Sequence, residues 1–200
     1  KLLNLKINPT QTKMKNYYDF IIKSFDNQSF LYLISFVDLF IQLKDYQKSL
    51  NILKLMVKRF DSKIEKGLII IRQAKIFAGR DNDINQTKLL LNRLENHPKI
   101  RESSIIAEAE IYLNIFHDDQ KYIQILKEYT EKAHSQKNYE ILGDGYSRLR
   151  MFTESSECYI MSIFGQNGLN EENSIKYDSE CIQKLLISLI KCHRYNDAVL

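Results

Sequence analysis

Two glycines one residue apart, Gly143 and Gly145, lie within a stretch whose apolar residues recur with the period of an α-helix, 138–162. Glycine in a helix interior costs about 1 kcal/mol relative to alanine, so a helix that contains two of them needs a packing reason. Two antiparallel helices cross closely only where small residues let the backbones approach and large residues fill the grooves beside them. We therefore expect this stretch to form a tightly packed helix pair.

The residues around these glycines follow the order of a tetratricopeptide repeat, a helix–turn–helix unit of about 34 residues. Gly143 is the predicted small residue of the first helix, and Ser155 and Ser162 take positions of the second helix where alanine is more usual. Gly143 and Ser155 are expected to meet in one helix crossing. The predicted packing signature consists of Tyr139, Leu142, Gly143, Tyr146, Phe152, Ser155, Tyr159 and Ser162, with Leu189, Tyr195 and Ala198 in a later unit.

The same template recurs along the chain, and no segment alternates cleanly at period two. We therefore predict an all-α fold, a tetratricopeptide-repeat α-solenoid in which antiparallel helix pairs form a right-handed superhelix. The approximate units are 30–63, 67–98, 102–135, 136–169 and 179–200, with Pro98 closing the second and the last one truncated. The loop at 166–176 is about nine residues longer than the usual repeat allows. Solenoids need polar caps and none is evident, so 1–200 is interpreted as a single segment of a longer solenoid.

The composition agrees with helices joined by short loops, because the chain has only two prolines and six glycines in 200 residues. Its 29 basic and 25 acidic residues give a formal net charge of +4, and the two signs are interspersed. A nucleic-acid-binding domain more often shows a basic stripe with stacking aromatics, so no nucleic-acid partner is predicted. An RNA-binding helical repeat would need a regular base code, which the irregular repeat spacing disfavours.

The longest apolar stretch, 30–43, is interrupted by three polar residues and is shorter than the roughly 20 residues that a bilayer span requires. We expect a buried helix there and no direct membrane insertion. The cysteines are odd in number and form no CxxC pair, which favours reduced and mostly buried thiols. They are Cys158, Cys181 and Cys192.

Two places hold side chains that resemble chemical sites. The sequence HDD at 117–119 falls in a predicted turn, where aspartate is common for reasons of turn geometry. Cys192 and His193 are adjacent, whereas a nucleophile–base dyad needs side chains that face each other. The sequence GDG at 143–145 lacks the preceding strand and the GK[ST] ending of a phosphate loop. We predict that the chain is not an enzyme, uses no cofactor and binds no metal.

Three segments resemble the tetratricopeptide repeat protein 21 family, also called the intraflagellar transport protein 139 family. They are AEIYLN at 109–114, ILGDGY at 141–146 and LISLIKCHRYNDAV at 186–199, in the family's order and spacing. The family carries the similar segments ADIYLN, LLGDAY and ALIKTHNY. Gly145 replaces a usual alanine, and the loop at 166–176 is longer than the family's.

The resemblance implies a non-enzymatic scaffold subunit of intraflagellar transport complex A, which supports retrograde ciliary transport and the ciliary entry of membrane cargo. The implied partners are other complex A subunits, which combine propellers with helical repeats, and also complex B trains and membrane cargo. The implied location is the cilium or flagellum and the basal body, on the cytoplasmic side.

The alternative function is that of a tetratricopeptide adaptor or co-chaperone that binds a peptide in its concave groove. A carboxylate clamp needs Lys and Asn on the first helices, which here carry acidic residues such as Glu108, Glu110 and Asp144.

Overall fold

The computed structural model describes residues 9–94, 96–165, 179–194 and 197–199, which form helices joined mainly by short turns. No strand occurs among these residues, and neighbouring helices pack side by side, so the predicted all-α solenoid class is confirmed. The helices are α1 (Pro9–Lys23), α2 (Phe30–Gln42), α3 (Tyr46–Arg59), α4 (Lys63–Asp81), α5 (Ile84–Asn92), α6 (Pro98–Ile111), α7 (Asp119–Ala133), α8 (Gln136–Arg148), α9 (Phe152–Phe164) and α10 (Ser179–Lys191). A π-helical turn, Tyr112–Phe116, extends α6.

The chain divides into two compact units, Lys1–Ser104 and Ile105–Leu200, with the boundary inside α6. In the first unit, α1 to α4 contribute an apolar cluster to the core. The second unit has a cluster among α6, α7, α8 and α9 and another between α9 and α10. In the part of the chain that the structure describes, no helix combines the length and apolarity needed to cross a bilayer.

The first helix pair, α2 and α3, shows how the apolar pattern becomes a core. Leu33, Val37 and Phe40 of α2 are buried, and Leu53 and Met56 of α3 pack against them. The opposite face of α2 is open to solvent, so the apolar stretch at 30–43 is buried on one side only. The division of the chain into five repeat units stays a prediction, and the loop at 166–176 lies outside the described residues.

The turn inside each helix pair places a non-glycine residue in the left-handed conformation. These residues are Lys44, Asn82, His117, Arg150 and His193, with φ between 53° and 63°. In three of the turns the next residue donates its N–H to the carbonyl five residues back, as in a Schellman motif. These bonds join Asp45 to Phe40, Met151 to Tyr146 and Arg194 to Leu189, at 2.8–3.0 Å.

An aspartate follows the left-handed residue in three of these turns and begins the next helix. Asp45, Asp83 and Asp118 each accept a hydrogen bond from the backbone N–H three residues on. Such N-caps stabilise a helix by about 1 kcal/mol. The left-handed conformation costs a non-glycine residue about 1–2 kcal/mol. Two of the five, Lys44 and Arg150, carry a positive charge, which is favourable beside a helix C-terminus.

Pro98 begins α6, whereas the sequence pattern predicted that it closes the preceding unit and that the next unit starts at 102. Proline is well suited to the first position of a helix because its missing N–H has no intrahelical acceptor there. Helix α6 therefore begins before residue 102, while the bounds of the repeat units stay a prediction.

The two glycines of α8 face different neighbouring helices. A Cβ atom at Gly143 would lie 2.7 Å from Cε1 of Tyr159 in α9, and one at Gly145 would lie 2.6 Å from Cδ1 of Leu126 in α7. Helix α8 therefore lies between α7 and α9, and each of them approaches it closely at one glycine. This contact explains Gly145, for which the sequence offers no reason.

Serine contributes a hydrogen bond across the crossing as well as a small volume. The hydroxyl of Ser155 donates to the carbonyl of Gly143 over 2.9 Å, so these two residues lie in one crossing. The hydroxyl of Ser49 lies 3.4 Å from the carbonyl of Val37 in the corresponding crossing of α3 and α2. A buried hydroxyl without a partner would be destabilising, and the facing carbonyl supplies that partner.

We expect Gly143→Ala to be less stable than Gly145→Ala by about 1–2 kcal/mol. Both variants gain about 1 kcal/mol of helix propensity. At position 143 the new methyl group meets the ring of Tyr159, which is buried and hydrogen-bonded to Asp144. At position 145 it meets the terminal methyl of Leu126, which can rotate away. Urea unfolding of the two variants measures the difference, and an equal or reversed order would contradict the described crossing.

Candidate functional site

Ion pairs connect the first helix of one pair to the first helix of the next. Arg72 of α4 binds both carboxylate oxygens of Asp38 in α2, at 3.0 and 2.8 Å. In the second unit, Arg148 of α8 lies 4.0 Å from Glu110 of α6, and Lys184 of α10 lies 3.2 Å from Asp144 of α8. We call these three pairs the rungs: Asp38–Arg72, Glu110–Arg148 and Asp144–Lys184.

The rung at Asp144 belongs to a polar network that joins three helices. Lys184 also donates to Glu140 of α8 over 2.7 Å. The hydroxyl of Tyr159 in α9 donates to Asp144 over 2.7 Å. Beneath these groups, the hydroxyls of Ser155 and Ser188 lie 3.2 Å apart, which links α9 to α10. The network therefore fixes α8, α9 and α10 at defined positions along one another.

The same network shifts the pKa of two of its members. Burial of Lys184 disfavours its charged form, but its hydrogen bonds and attraction to Glu140 and Asp144 outweigh this, so its pKa is raised. Burial and the hydrogen bond to Asp144 raise the pKa of the Tyr159 phenol. Both groups therefore hold their protons throughout the neutral range, where the described bonds require them.

A cleft of about 150 Å³ opens between α6, α7 and α8. Its apolar lining comes from Ile106, Ala109, Leu126 and Ile141, and its polar lining comes from Glu110, Tyr122, Asp144 and Arg148. Burial raises the pKa of the Tyr122 phenol, an effect that the nearby guanidinium of Arg148 opposes. The cleft thus combines an apolar interior with charged groups from two of the rungs.

The predicted packing signature divides by burial. Leu142, Gly143, Tyr146, Ser155, Tyr159 and Leu189 are buried, and Tyr139, Phe152, Ser162 and Ala198 are half-buried. Tyr195 lies outside the described residues. Phe152 lies under the amino group of Lys191, 4.7 Å from its ring centroid. The assignment of these residues to a tetratricopeptide signature stays a prediction.

Sequence reasoning noticed the carboxylates of two rungs, Glu110 and Asp144, but not their cationic partners. Arg148 and Lys184 belong to the following helix pair, and no local pattern relates them to the carboxylates. The sequence does contain one indication of a rung: its carboxylate directly follows the small or apolar residue at which two helices cross, as Asp144 follows Gly143. The cleft carried no sequence signal, because three helices contribute its lining.

The two places that resemble chemical sites have structural roles. The carboxylate of Asp118 accepts the backbone N–H of Lys121 over 2.8 Å and caps α7. The thiol of Cys192 donates to the carbonyl of Leu189 over 3.5 Å. Among the residues with described side chains, no three His, Cys, Asp or Glu side chains come together as a metal site would require.

The free energy of unfolding is expected to fall as the pH rises above about 10, because Lys184 and Tyr159 lose their protons more readily in the unfolded chain than in the folded one. A group whose pKa is raised by folding stabilises fully below its unfolded pKa, and that contribution disappears as the pH approaches the folded value. The ordinary pKa values are 10.5 for Lys184 and 10.0 for Tyr159.

Tyr159→Phe should lower the free energy of unfolding by about 1–3 kcal/mol at neutral pH, since Asp144 loses a donor. It should also make the alkaline fall shallower.

Urea unfolding at neutral and alkaline pH checks both expectations. Tyr17→Phe is the matched control, since Tyr17 is exposed on α1. An equally steep alkaline fall in the wild type and in Tyr159→Phe would contradict the assigned role of Tyr159.

Thiol reagents are expected to modify Cys192 before Cys158 and Cys181. Burial raises the pKa of Cys158 to about 12, and only the thiolate reacts quickly. Cys181 is buried as well, whereas Cys192 is half-buried in a turn. Iodoacetamide labelling followed by peptide mass spectrometry gives the order, with Cys192→Ser as the control. Early labelling of Cys158 in the folded protein would contradict its described burial.

Comparison with known proteins identifies the family. The family model described as "Tetratricopeptide repeat protein 21 ARM repeat" matches residues 2–129, which is more than half of the chain. The matched range contains the segment AEIYLN, while ILGDGY and LISLIKCHRYNDAV lie beyond it. No curated protein and no solved structure matches the chain.

The matched range runs from α1 into α7 and so covers helices of both units. ARM and tetratricopeptide repeats are both helical units that stack into solenoids. The resemblance seen in the sequence is therefore confirmed, and the chain is a helical-repeat protein of the scaffold type, suited to protein–protein contacts. It belongs to the tetratricopeptide repeat protein 21 family.

Proposed function

We propose that this chain is a non-enzymatic scaffold segment of intraflagellar transport complex A, which supports retrograde ciliary transport and the ciliary entry of membrane cargo. The observation that carries the proposal is the family match over residues 2–129. A stacked helical repeat offers extended surfaces for other proteins and needs no reactive group to do so.

The proposed partners are the other subunits of complex A, which combine propellers with helical repeats. Complex B trains and membrane cargo are further proposed contacts, whereas contact with nucleic acid and direct membrane insertion are not proposed. The proposed location is the cilium or flagellum and the basal body, on the cytoplasmic side. The family match and the resemblance of the three segments support these proposed assignments.

The rungs support a scaffold role. In a solenoid each repeat contacts only its neighbours, so the accuracy of a long surface depends on the register of every junction. Asp38–Arg72 joins α2 to α4, and Lys184 joins α10 to two carboxylates of α8. Directional contacts of this kind hold surface side chains at fixed separations, which a partner spanning several helices requires.

The second candidate function is a tetratricopeptide adaptor or co-chaperone that binds a peptide in its groove. The observation in its favour is the cleft between α6, α7 and α8. The polar groups of this cleft include two carboxylates, Glu110 and Asp144, so a carboxylate-ended peptide suits it poorly.

Affinity purification of the tagged full-length protein from ciliated cells, followed by mass spectrometry, tests the proposal. We expect complex A subunits to be enriched over an unrelated tagged helical-repeat protein from the same cells. Abundant chaperones in the absence of complex A subunits would contradict the ciliary proposal and favour the adaptor. Immunofluorescence of the same tagged protein should show it at the basal body and along the cilium.

A further inference from the structure

The cleft between α6, α7 and α8 has the size of one long side chain. Its volume is about 150 Å³, and Ile106, Leu126 and Ile141 provide an apolar interior. An apolar cavity of about this volume in another protein holds a benzene-sized molecule. The aliphatic stem of one side chain therefore fits the cleft, while an entire helix does not.

The charge around the cleft is negative although the chain as a whole is positive. Glu110 and Asp144 contribute two carboxylates against the single guanidinium of Arg148. Beside them, Glu140 and Glu180 accompany the single amino group of Lys184, within 3.4 Å of it. The formal net charge of the chain is +4, so this excess of carboxylates is local. A surface of this kind attracts cations.

The rung Glu110–Arg148, whose two residues both line the cleft, has the longest separation of the three. Arg148 lies 4.0 Å from Glu110, and its side chain is 55 % exposed. An exposed ion pair of this kind contributes little to stability, so exchange of one cation for another costs little. Asp144, in contrast, is held in place by Tyr159 and Lys184. A fixed acceptor and a replaceable cation thus lie on the same cleft.

We propose that this cleft is a docking site for a lysine or arginine side chain carried by a segment of a partner protein. The methylene stem lies against the apolar lining, and the charged end lies between Glu110 and Asp144, displacing Arg148 towards solvent. Long basic side chains bury their stems in this way while the charged end stays at the surface. The inference rests on the proposed function, because it requires a protein partner.

Fluorescence anisotropy with the purified full-length chain tests the proposal. The probe is a short fluorescein-labelled peptide in which leucine and lysine alternate, and its counterparts carry glutamate or serine in place of lysine. We expect the lysine peptide to bind more tightly than both counterparts, and its affinity to fall as the ionic strength rises. Tighter binding of the glutamate peptide would overturn the proposal, as would equal binding of the serine peptide.

Substitutions of Glu110 and Arg148 are expected to change the affinity for the lysine peptide in opposite directions. Glu110→Gln should weaken binding of the lysine peptide about fivefold, and Arg148→Gln should strengthen it by about two- to fivefold, because a competing cation is removed. Glu157→Gln on the exposed face of α9 makes the same charge change away from the cleft and should have no effect. Equal effects of Glu110→Gln and Glu157→Gln would show general attraction alone and would overturn the proposal.

A variant that fills the cleft tests the contribution of the methylene stem to binding separately from that of the charge. Ile106→Phe should weaken the lysine peptide without any change in charge, since the new ring occupies the cleft. Circular dichroism establishes that this variant is folded, and Arg148→Gln supplies a result that does not depend on the core. Unchanged binding by a folded Ile106→Phe protein would overturn the proposal.

The test is independent of the ciliary experiment. It uses one purified protein and a synthetic peptide, so the absence of peptide binding leaves the complex A proposal in place. Conversely, peptide binding with the expected signs would stand even if no complex A subunit were recovered from cells.

Discussion

The close crossing of α8 and α9 determines the polar contacts around Asp144 in the second unit. Because Gly143 has no side chain, the ring of Tyr159 lies against the backbone of α8, and its hydroxyl reaches Asp144 one residue further on. The carboxylate is thereby held where Lys184 of α10 meets it. A larger residue at 143 would displace the ring and, with it, the acceptor that α10 uses. The electrostatic contact is a consequence of the packing contact.

Apolar burial and ion pairs make different contributions to the helix stack, the first to its stability and the second to the register of its helices. Burial supplies most of the stability, but it is non-directional and tolerates small shifts of one helix along another. Ion pairs near the surface add little free energy, yet a pair such as Asp38–Arg72, with two parallel hydrogen bonds, forms in one register only. The rungs therefore contribute geometry more than stability. That distinction suits a molecule whose proposed task is to keep surfaces at set separations.

The sequence predicts contacts within a helix pair better than contacts between pairs. Helical periodicity depends on residues three or four apart, and one template relates Gly143 to Ser155, so both were assigned from the sequence. Gly145 was not explained, because its neighbour Leu126 belongs to the preceding pair. The cations of the rungs were missed for the same reason, since loop length changes their spacing. The sequence did not predict the left-handed turns, because that conformation is usually taken by glycine or asparagine. A residue such as Arg150 does not indicate it.

The left-handed turns also affect the unfolded chain. Glycine at these positions would relieve backbone strain in the native state, but it would give the unfolded ensemble more conformations to lose. A residue such as Lys44 or His117 has the opposite effects: the turn is strained in the native state, and the unfolded chain has fewer conformations to lose. The strain of about 1–2 kcal/mol exceeds the gain of about 0.4–1 kcal/mol from a stiffer unfolded chain, so glycine would be the more stabilising residue at these turns. The packing of the helix pairs therefore holds each of these turns in a conformation that its residue disfavours.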